Sequence, residues 1–337
     1  MSIRHCLGLT LFTTTLLMAA AGRSAGTADD YDRAFSLRET FANLLTHDRL
    51  EPRWASPSRF WFEVNLGDDK TERRLVDCLS GEVAVTDDQE LASDKTAEKP
   101  IALNRREPIP EALKPKQKSP DGRWRLERRL GALWLCDEES DDDHLLAPAP
   151  DRDGSLSTLA HWSPDSRHAV VWETIPGDGR VVHLIESSPE GRLQPKLHEQ
   201  QYAKPGDHVE WKRPRLFHTE SAKEIPTDLA EYGKPGSIGK LRWKADGSAF
   251  TVMFNQRGHQ SLRLLEIDLS GHVRTLIDEA SSTFVHYSGR GKCWLYRFED
   301  GESALWTSER DGWNHLYRID MATGEAQQLT RGPWVVR

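Results

Sequence analysis

The turn SPDG at 119–122 returns as SPDS at 163–166 and as KADG at 244–247, each standing before a segment that reads as a strand. Pro120 and Pro164 stand 44 residues apart, and Ala245 follows Pro164 by 81. A four-stranded propeller blade takes about 40–45 residues, so the first interval is one blade and the second is close to two. A second signature alternates with the first: a strand that ends on an acidic residue, then a turn glycine. It occurs in LVDCLSGEV (75–83), HLIESSPEGRL (183–193), LLEIDLSGHV (264–273) and LYRIDMATGEA (316–326). One strand leaves the first turn, a second returns, and the acidic residue with its glycine closes the next hairpin.

The segments between these turns read as strands. RFWFEVNL (59–66), RLVDCL (74–79), HAVVWETI (168–175), RVVHLIES (180–187), AFTVMF (249–254) and SLRLLEID (261–268) are short and rich in β-branched or aromatic residues. Gly, Pro and Asp bound them. PGDG (176–179) is read as a hairpin turn joining two of them, because glycine tolerates the positive φ that a tight turn requires. A single blade would expose apolar faces, whereas stacked blades bury one another. The repeats therefore predict an all-β fold, a β-propeller of four-stranded blades over 53–337. At this period the chain holds about five to six blades. The last repeat ends at Leu329, and TRGPWVVR (330–337) reads as the opening of a further blade, so the expected ring is incomplete.

The N-terminus reads differently. Arg4 and His5 precede an apolar stretch, Leu7 to Ala21, and small residues follow in AGRSAG. This three-part pattern predicts a secretory signal peptide over 1–26 and a secreted or periplasmic protein. The stretch is short of the roughly 20 apolar residues of a membrane span, and no later segment is apolar enough to cross a bilayer; an uncleaved N-terminal anchor is the rival reading. Residues 27–52 form a helical segment: Phe35, Leu37, Phe41, Leu44 and Leu45 fall near helical spacing, Asp29 and Asp30 stand at its start, and Pro52 ends it.

Charge and motifs exclude several classes. With 45 Lys and Arg against 53 Asp and Glu, the net charge is −8, which argues against a nucleic-acid partner. Past the leader the cysteines are Cys78, Cys136 and Cys293, too scattered for a zinc site, able to form at most one disulfide, and read as small buried residues. The acidic run DEESDDD (137–143) lacks the ligand spacing and central glycine of a calcium loop and reads as a solvated hairpin tip. Residues 84–118 are polar and read as a long connection. The one GxSxG match, Gly22 to Gly26 around Ser24, has neither a strand before it nor a helix after it, so Ser24 is not a nucleophile. Tyr287-Ser288-Gly289 lacks the leading glycine. His161, His168 and His183 lie on or beside strands, where packing or surface roles are expected. No catalytic, cofactor-binding or metal-ligating residue is expected, and no cofactor.

The C-terminal part carries a family resemblance. WTSERDGWNHLYRIDMATGEAQQLTRG (306–332), and within it Ser308 to Trp313 and His315 to Tyr317, resembles the propeller signature of the dipeptidyl peptidase IV group of the prolyl oligopeptidase family. Asp311-Gly312 would sit in a hairpin turn and Trp313 between blades. Tyr202-Ala203-Lys204-Pro205-Gly206-Asp207 is similar to that group's connection between strands, and Trp162-Ser163-Pro164-Asp165 is a blade start shared by many propellers. RGHQ (257–260) is similar to a bacterial branch. The resemblance spans about residues 53–337 and is most specific from 200 onward.

It implies a propeller that restricts access to a serine-peptidase active site and helps dock the peptide substrate, with an α/β-hydrolase domain as the missing partner. This chain alone is then expected to be inactive. The helical segment resembles the one that lies near the hydrolase in relatives, so its apolar face is expected to be unpartnered here. In dipeptidyl aminopeptidases a Tyr-Glu-Glu stretch before the blade start holds the substrate amine, but here PAPDRDGSLSTLAH (148–161) takes that place. Asp151 and Asp153 are read as an acidic turn rather than as an amine anchor. The alternative from another class is a stand-alone periplasmic binding or scaffold propeller, and a glycan-binding propeller is a third reading.

Overall fold

The computed structural model describes residues 26–42, 51–56, 58–67, 70–86, 110–111, 114–151, 153–286, 293–298 and 300–336. The leader up to residue 25, Ser24 and Tyr287-Ser288-Gly289 lie outside them. The chain divides into two compact units, Met1–Ala102 and Leu103–Arg337.

In the first unit, α1 (Ala28–Ala42) opens on a reciprocal cap. The Asp30 carboxylate accepts from the Thr27 amide at 2.9 Å, and the Asp30 amide donates to the Thr27 hydroxyl at 3.3 Å. The described part of the helix runs to Ala42, and residues 43–50, with Leu44 and Leu45, lie outside the described residues. Phe35, Leu37 and Phe41 are all exposed. Four strands follow as one antiparallel sheet in the order β1 (Arg53–Ser56), β2 (Arg59–Gly67), β3 (Lys70–Asp77), β4 (Val83–Thr86). Val64, Leu75 and Ala55 are its buried apolar residues. Cys78, expected to be buried, lies in the turn after β3 and is exposed.

The second unit holds four further sheets of the blade type. β5 (Trp124–Arg129), β6 (Ala132–Asp137) and β7 (Asp143–Ala147) form the first. Residues 116–118 take its fourth position, with Leu126 N–H donating to the Gln117 carbonyl at 3.0 Å. The next sheet contains β8 (Ser155–Trp162), β9 (His168–Ile175), β12 (Trp211–His218) and β13 (Lys223–Ile225), with β8 at one edge. β14 (Pro235–Trp243), β15 (Ala249–Gln256), β16 (Ser261–Asp268) and β17 (Val273–Ala280) make the third. β18 (Leu295–Arg297), β19 (Ser303–Ser308), β20 (His315–Asp320) and β21 (Ala326–Gln328) make the fourth. This is the propeller-like, all-β arrangement the repeats predict.

The third sheet is buried on both faces, which explains why AFTVMF is continuously apolar. Along β15, Phe250, Val252 and Phe254 face a cluster with Val170 and Leu216 of the preceding blade. Met253, between them, faces a cluster with Leu295, Trp306 and Tyr317 of the following one. Strand alternation thus sends successive side chains into two different interfaces. Burying each of the large side chains contributes about 1.5–3 kcal/mol.

Polar contacts set the stagger between blades. Trp162 at the end of β8 donates its indole N–H to the Lys116 carbonyl at 3.0 Å. Trp243 at the end of β14 donates to the His161 carbonyl at 2.9 Å. The repeated turns meet as well: the Asp121 amide donates to the Ser166 hydroxyl at 3.2 Å. Within the first two of these turns a serine ties the ends together, Ser119 accepting from the Trp124 amide and Ser163 from the His168 amide, both at 2.9 Å.

The acidic residue of the second signature caps its own turn. The Asp77, Asp268 and Asp320 carboxylates accept amides two residues ahead. After Asp268 comes Gly271 at φ 87°, where a Cβ would lie 1.8 Å from the Pro226 carbonyl oxygen; only glycine fits. DEESDDD is a further copy of this turn. Asp137 ends β6, accepts the Glu139 amide at 3.0 Å and pairs with Arg123 at 2.9 Å, and these bonds hold its carboxyl down to about 2. The expected hairpin tip is therefore observed.

Three readings need correction. PGDG does not join paired strands, because β9 pairs with β8 and β12 while β10 (Val181–Glu186) pairs only with β11 (Lys196–Gln201). HLIESSPEGRL therefore belongs to an inserted two-stranded ribbon and not to a blade. Its neck is closed by Asp178, whose amide donates to the His208 carbonyl at 2.8 Å and whose carboxylate accepts the His208 amide at 3.0 Å. Residues 84–118 are not wholly a connection, since they begin inside β4 and end in the pairing segment 116–118; 87–109 lie outside the described residues. Finally, 330–336 form no strand. The Asn314 amide side chain donates to the Val336 carbonyl at 2.8 Å, and Trp334 covers the His315 ring at 5.2 Å, so the segment folds back on the last hairpin turn.

Two measurements test this account. Trp243→Phe removes one inter-blade donor and should cost about 1–2 kcal/mol in urea unfolding, whereas Trp313→Phe, at an exposed site, should change stability by about 0.5 kcal/mol or less. His168 is buried beside His218, with ring centroids 5.1 Å apart, and burial lowers its pKa from 6.5. The folded state prefers the neutral ring, so this stabilisation is fully present above pH 6.5 and is lost as pH falls below it. His168→Gln should flatten the pH dependence of the urea midpoint over that range.

Candidate functional site

The resemblance residues cluster at one end of the last blade, and their roles are structural. Asp311-Gly312 forms the β19–β20 turn, as expected, with the Gly312 amide donating to the Glu309 carbonyl at 2.9 Å. Trp313 does not lie between blades: it is 44% exposed. Trp306 takes that place, fully buried, with its indole N–H donating to Glu279 of β17 at 2.8 Å. The Ser308 hydroxyl donates to the other Glu279 oxygen at 2.8 Å, and Arg310 pairs with the same carboxylate. Ser308 is thus a hydrogen-bond donor to a buried carboxylate that Trp306 and Arg310 also hold. His315 is buried and its Nδ1 lies 2.7 Å from Asp311, which also accepts from Gln328.

The other motif residues lie elsewhere. Tyr202 to Asp207 returns the chain from β11 to β12, with Asp207 accepting the Lys204 amide at 2.8 Å. RGHQ is the β15–β16 turn. Asp153, at φ 60°, lies in the turn before β8 and lines a cavity of about 510 Å³ with Asp178, Lys234 and Arg257. Asp151 contributes its carbonyl to the Gly154 amide at 3.2 Å. Both remain turn residues.

A separate groove is built by the first strands of adjacent blades. β8 carries a bulge between Leu156 and Ala160, and β14 carries one between Gly239 and Arg242. A bulge bends its strand and re-aims the local side chains. Lys240 occupies the β14 bulge at φ 51°, a region rarely used by residues other than glycine. Between the two bulges lies a cavity of about 570 Å³. Trp172 and His161 form its aromatic wall, with ring centroids 6.4 Å apart, and Leu156 and Leu241 are buried beneath it. Arg128, Lys212 and Lys240 line it and are all exposed, and none of them takes part in an ion pair or side-chain hydrogen bond among the described residues.

No motif marks this groove. Its cations come from three blades and span 112 positions of sequence, from Arg128 to Lys240. One signal is readable along the chain: β8, β12 and β14 contain no Asp or Glu, although the net charge is −8. Among the described residues no group of three or more His, Cys, Asp or Glu is arranged to hold a metal.

The family described as dipeptidyl peptidase IV (DPP IV) N-terminal region matches residues 155–337, from β8 through β21, which is more than half of the chain. Similar solved structures include dipeptidyl peptidase 4 of Porphyromonas gingivalis, at 13% identity and TM-score 0.45, covering 83% of this chain and 39% of that one. A Bacteroides ovatus protein assigned to dipeptidyl aminopeptidase IV matches at 12% identity and TM-score 0.40, with 86% and 48% covered. A puromycin hydrolase matches at 13% identity and TM-score 0.33, with 86% and 40% covered. The chain spans less than half the length of each of these structures.

The buried carboxylate gives a test of the structural assignment. Glu279→Ala leaves Trp306, Ser308 and Arg310 without their acceptor and should destabilise the protein by about 3 kcal/mol in urea unfolding. Lys240→Gln, at an exposed position, should change the same midpoint by an amount equivalent to about 0.5 kcal/mol or less.

Proposed function

The chain belongs to the dipeptidyl peptidase IV N-terminal region family, and from that premise we propose that it is the substrate-docking and gating propeller of a secreted serine peptidase. The partners in this reading are a peptide substrate and an α/β-hydrolase domain that carries the nucleophile. The first 26 residues direct the protein out of the cytoplasm.

One observation carries the docking role: the groove between β8 and β14. Among the described residues β14 pairs with β15 alone, and β8 pairs with β9 and makes only a single bridge elsewhere, Lys116 to Ala160. A strand edge next to a groove suits an extended peptide, which can add its own backbone hydrogen bonds along the edge while its side chains enter the cavity. The volume of about 570 Å³ falls within the range of about 300–1,000 Å³ typical of small-ligand sites. The aromatic wall of Trp172 and His161 offers a flat apolar surface for a ring such as that of proline.

Hydrogen exchange tests the reading. Adding a proline-containing peptide should slow exchange at amides of 155–159 and 236–241 and leave the β10–β11 ribbon unchanged. Binding that protects other segments and spares these would overturn the assignment of the groove.

A further inference from the structure

We infer that the groove between β8 and β14 selects extended peptides bearing carboxylate side chains. This rests on the docking role proposed above and adds the chemical class of the ligand.

The argument is a charge balance. Arg128 of β5, Lys212 of β12 and Lys240 of β14 converge on one cavity from three blades. The protein as a whole is acidic, with Asp and Glu outnumbering Lys and Arg. The arginines beside Arg128 and Lys212 on β5 and β12 are matched: Arg125 and Arg129 hold Glu127, and Arg213 and Arg215 hold Glu173. Those are the only carboxylates on β5 and β9, the two other strands that bear on the groove, and both are already taken. β8, β12 and β14 supply none. Among the described residues the cavity therefore presents three cations and no carboxylate.

Placement strengthens the effect. Lys240 stands on a bulge at positive φ, a backbone state that a regular strand would not adopt. A concave site with low-dielectric walls focuses the field of its charges, so one sign of charge dominates inside even when the whole molecule carries the other. Leu156 and Leu241 provide such walls. A nucleic-acid strand needs a continuous basic track along its phosphates, and three cations in one groove of an acidic protein do not form one. A peptide needs only a carboxylate or two, spaced along an extended backbone, to meet them.

The test uses the 337-residue chain and two fluorescent peptides of one proline-containing sequence that differ only by Glu or Gln at two positions. At an ionic strength of about 0.01 M, where charges act over about 30 Å before they are screened, the Glu peptide should bind about tenfold tighter, equivalent to about 1.4 kcal/mol. The difference should narrow at about 0.15 M salt. The triple variant Arg128→Gln, Lys212→Gln, Lys240→Gln should erase the preference while the Gln peptide binds as before. Lys240→Arg should retain it, and Lys196→Gln on the exposed β11 should leave it intact. Unchanged urea midpoints in these variants exclude misfolding as the cause.

Equal binding of the two peptides overturns the charge inference and leaves the docking role standing. A preference that survives the triple variant also overturns it, because the anion site then lies elsewhere. A single-stranded oligonucleotide binding as tightly as the Glu peptide overturns it in favour of a general polyanion surface. Failure of both peptides to bind overturns the inference together with the docking role.

Discussion

The indole N–H of the first strand in one blade donating to a carbonyl of the blade before it is the contact on which the rest of this structure depends. Trp162 reaches Lys116 and Trp243 reaches His161. Apolar contact alone would hold two sheets face to face without fixing their stagger, because burial is non-directional. A hydrogen bond from a rigid ring to a single backbone oxygen does fix it. Once the stagger is set, the repeated turns of neighbouring blades meet, the Asp121 amide donating to the Ser166 hydroxyl.

This arrangement leaves few places for function. Faces that stack against a neighbouring blade are consumed by packing, so turns, strand edges and insertions remain available. The turns are closed by their own side chains, with Asp77, Asp137, Asp268 and Asp320 each spent on capping. Ser308, Arg310 and Trp306, the most conspicuous residues of the C-terminal signature, are spent on Glu279. The β10–β11 ribbon stands outside the blades with Leu184, Ile185 and Leu197 exposed. What is left at the first-strand edges is the groove, and its charge comes from side chains that have no structural duty.

Several features are legible in the amino-acid order because they depend on neighbours along the chain. A capped turn needs Asp at one position and a residue able to take positive φ a few positions later, so the repeat is visible at 268–271 and 320–324. The same rule misleads at 183–193, where an ordinary hairpin has a similar acidic residue and glycine. It is hidden at Asp137, where adjacent acids disguise the cap as a charge run. Strand alternation is legible in part: AFTVMF marks a strand, but its apolar run does not say that two different blades share it. Proximity to the turn motif favours Trp313 over Trp306 for the buried site, yet proximity carries no information about which way a ring points.

The sequence by itself determined the blade period, the strand and turn chemistry and the family to which the chain belongs, since each rests on spacings of a few residues or on a recurrence along the chain. Only the tertiary structure decided that PGDG is the neck of an insertion, that Glu279 joins three residues of the C-terminal signature, and that Arg128, Lys212 and Lys240 share one cavity. Those facts depend on which strand lies beside which, and on where a bulge turns a side chain. Stacking blades brings together residues more than a hundred positions apart, and no local rule of the chain records that meeting.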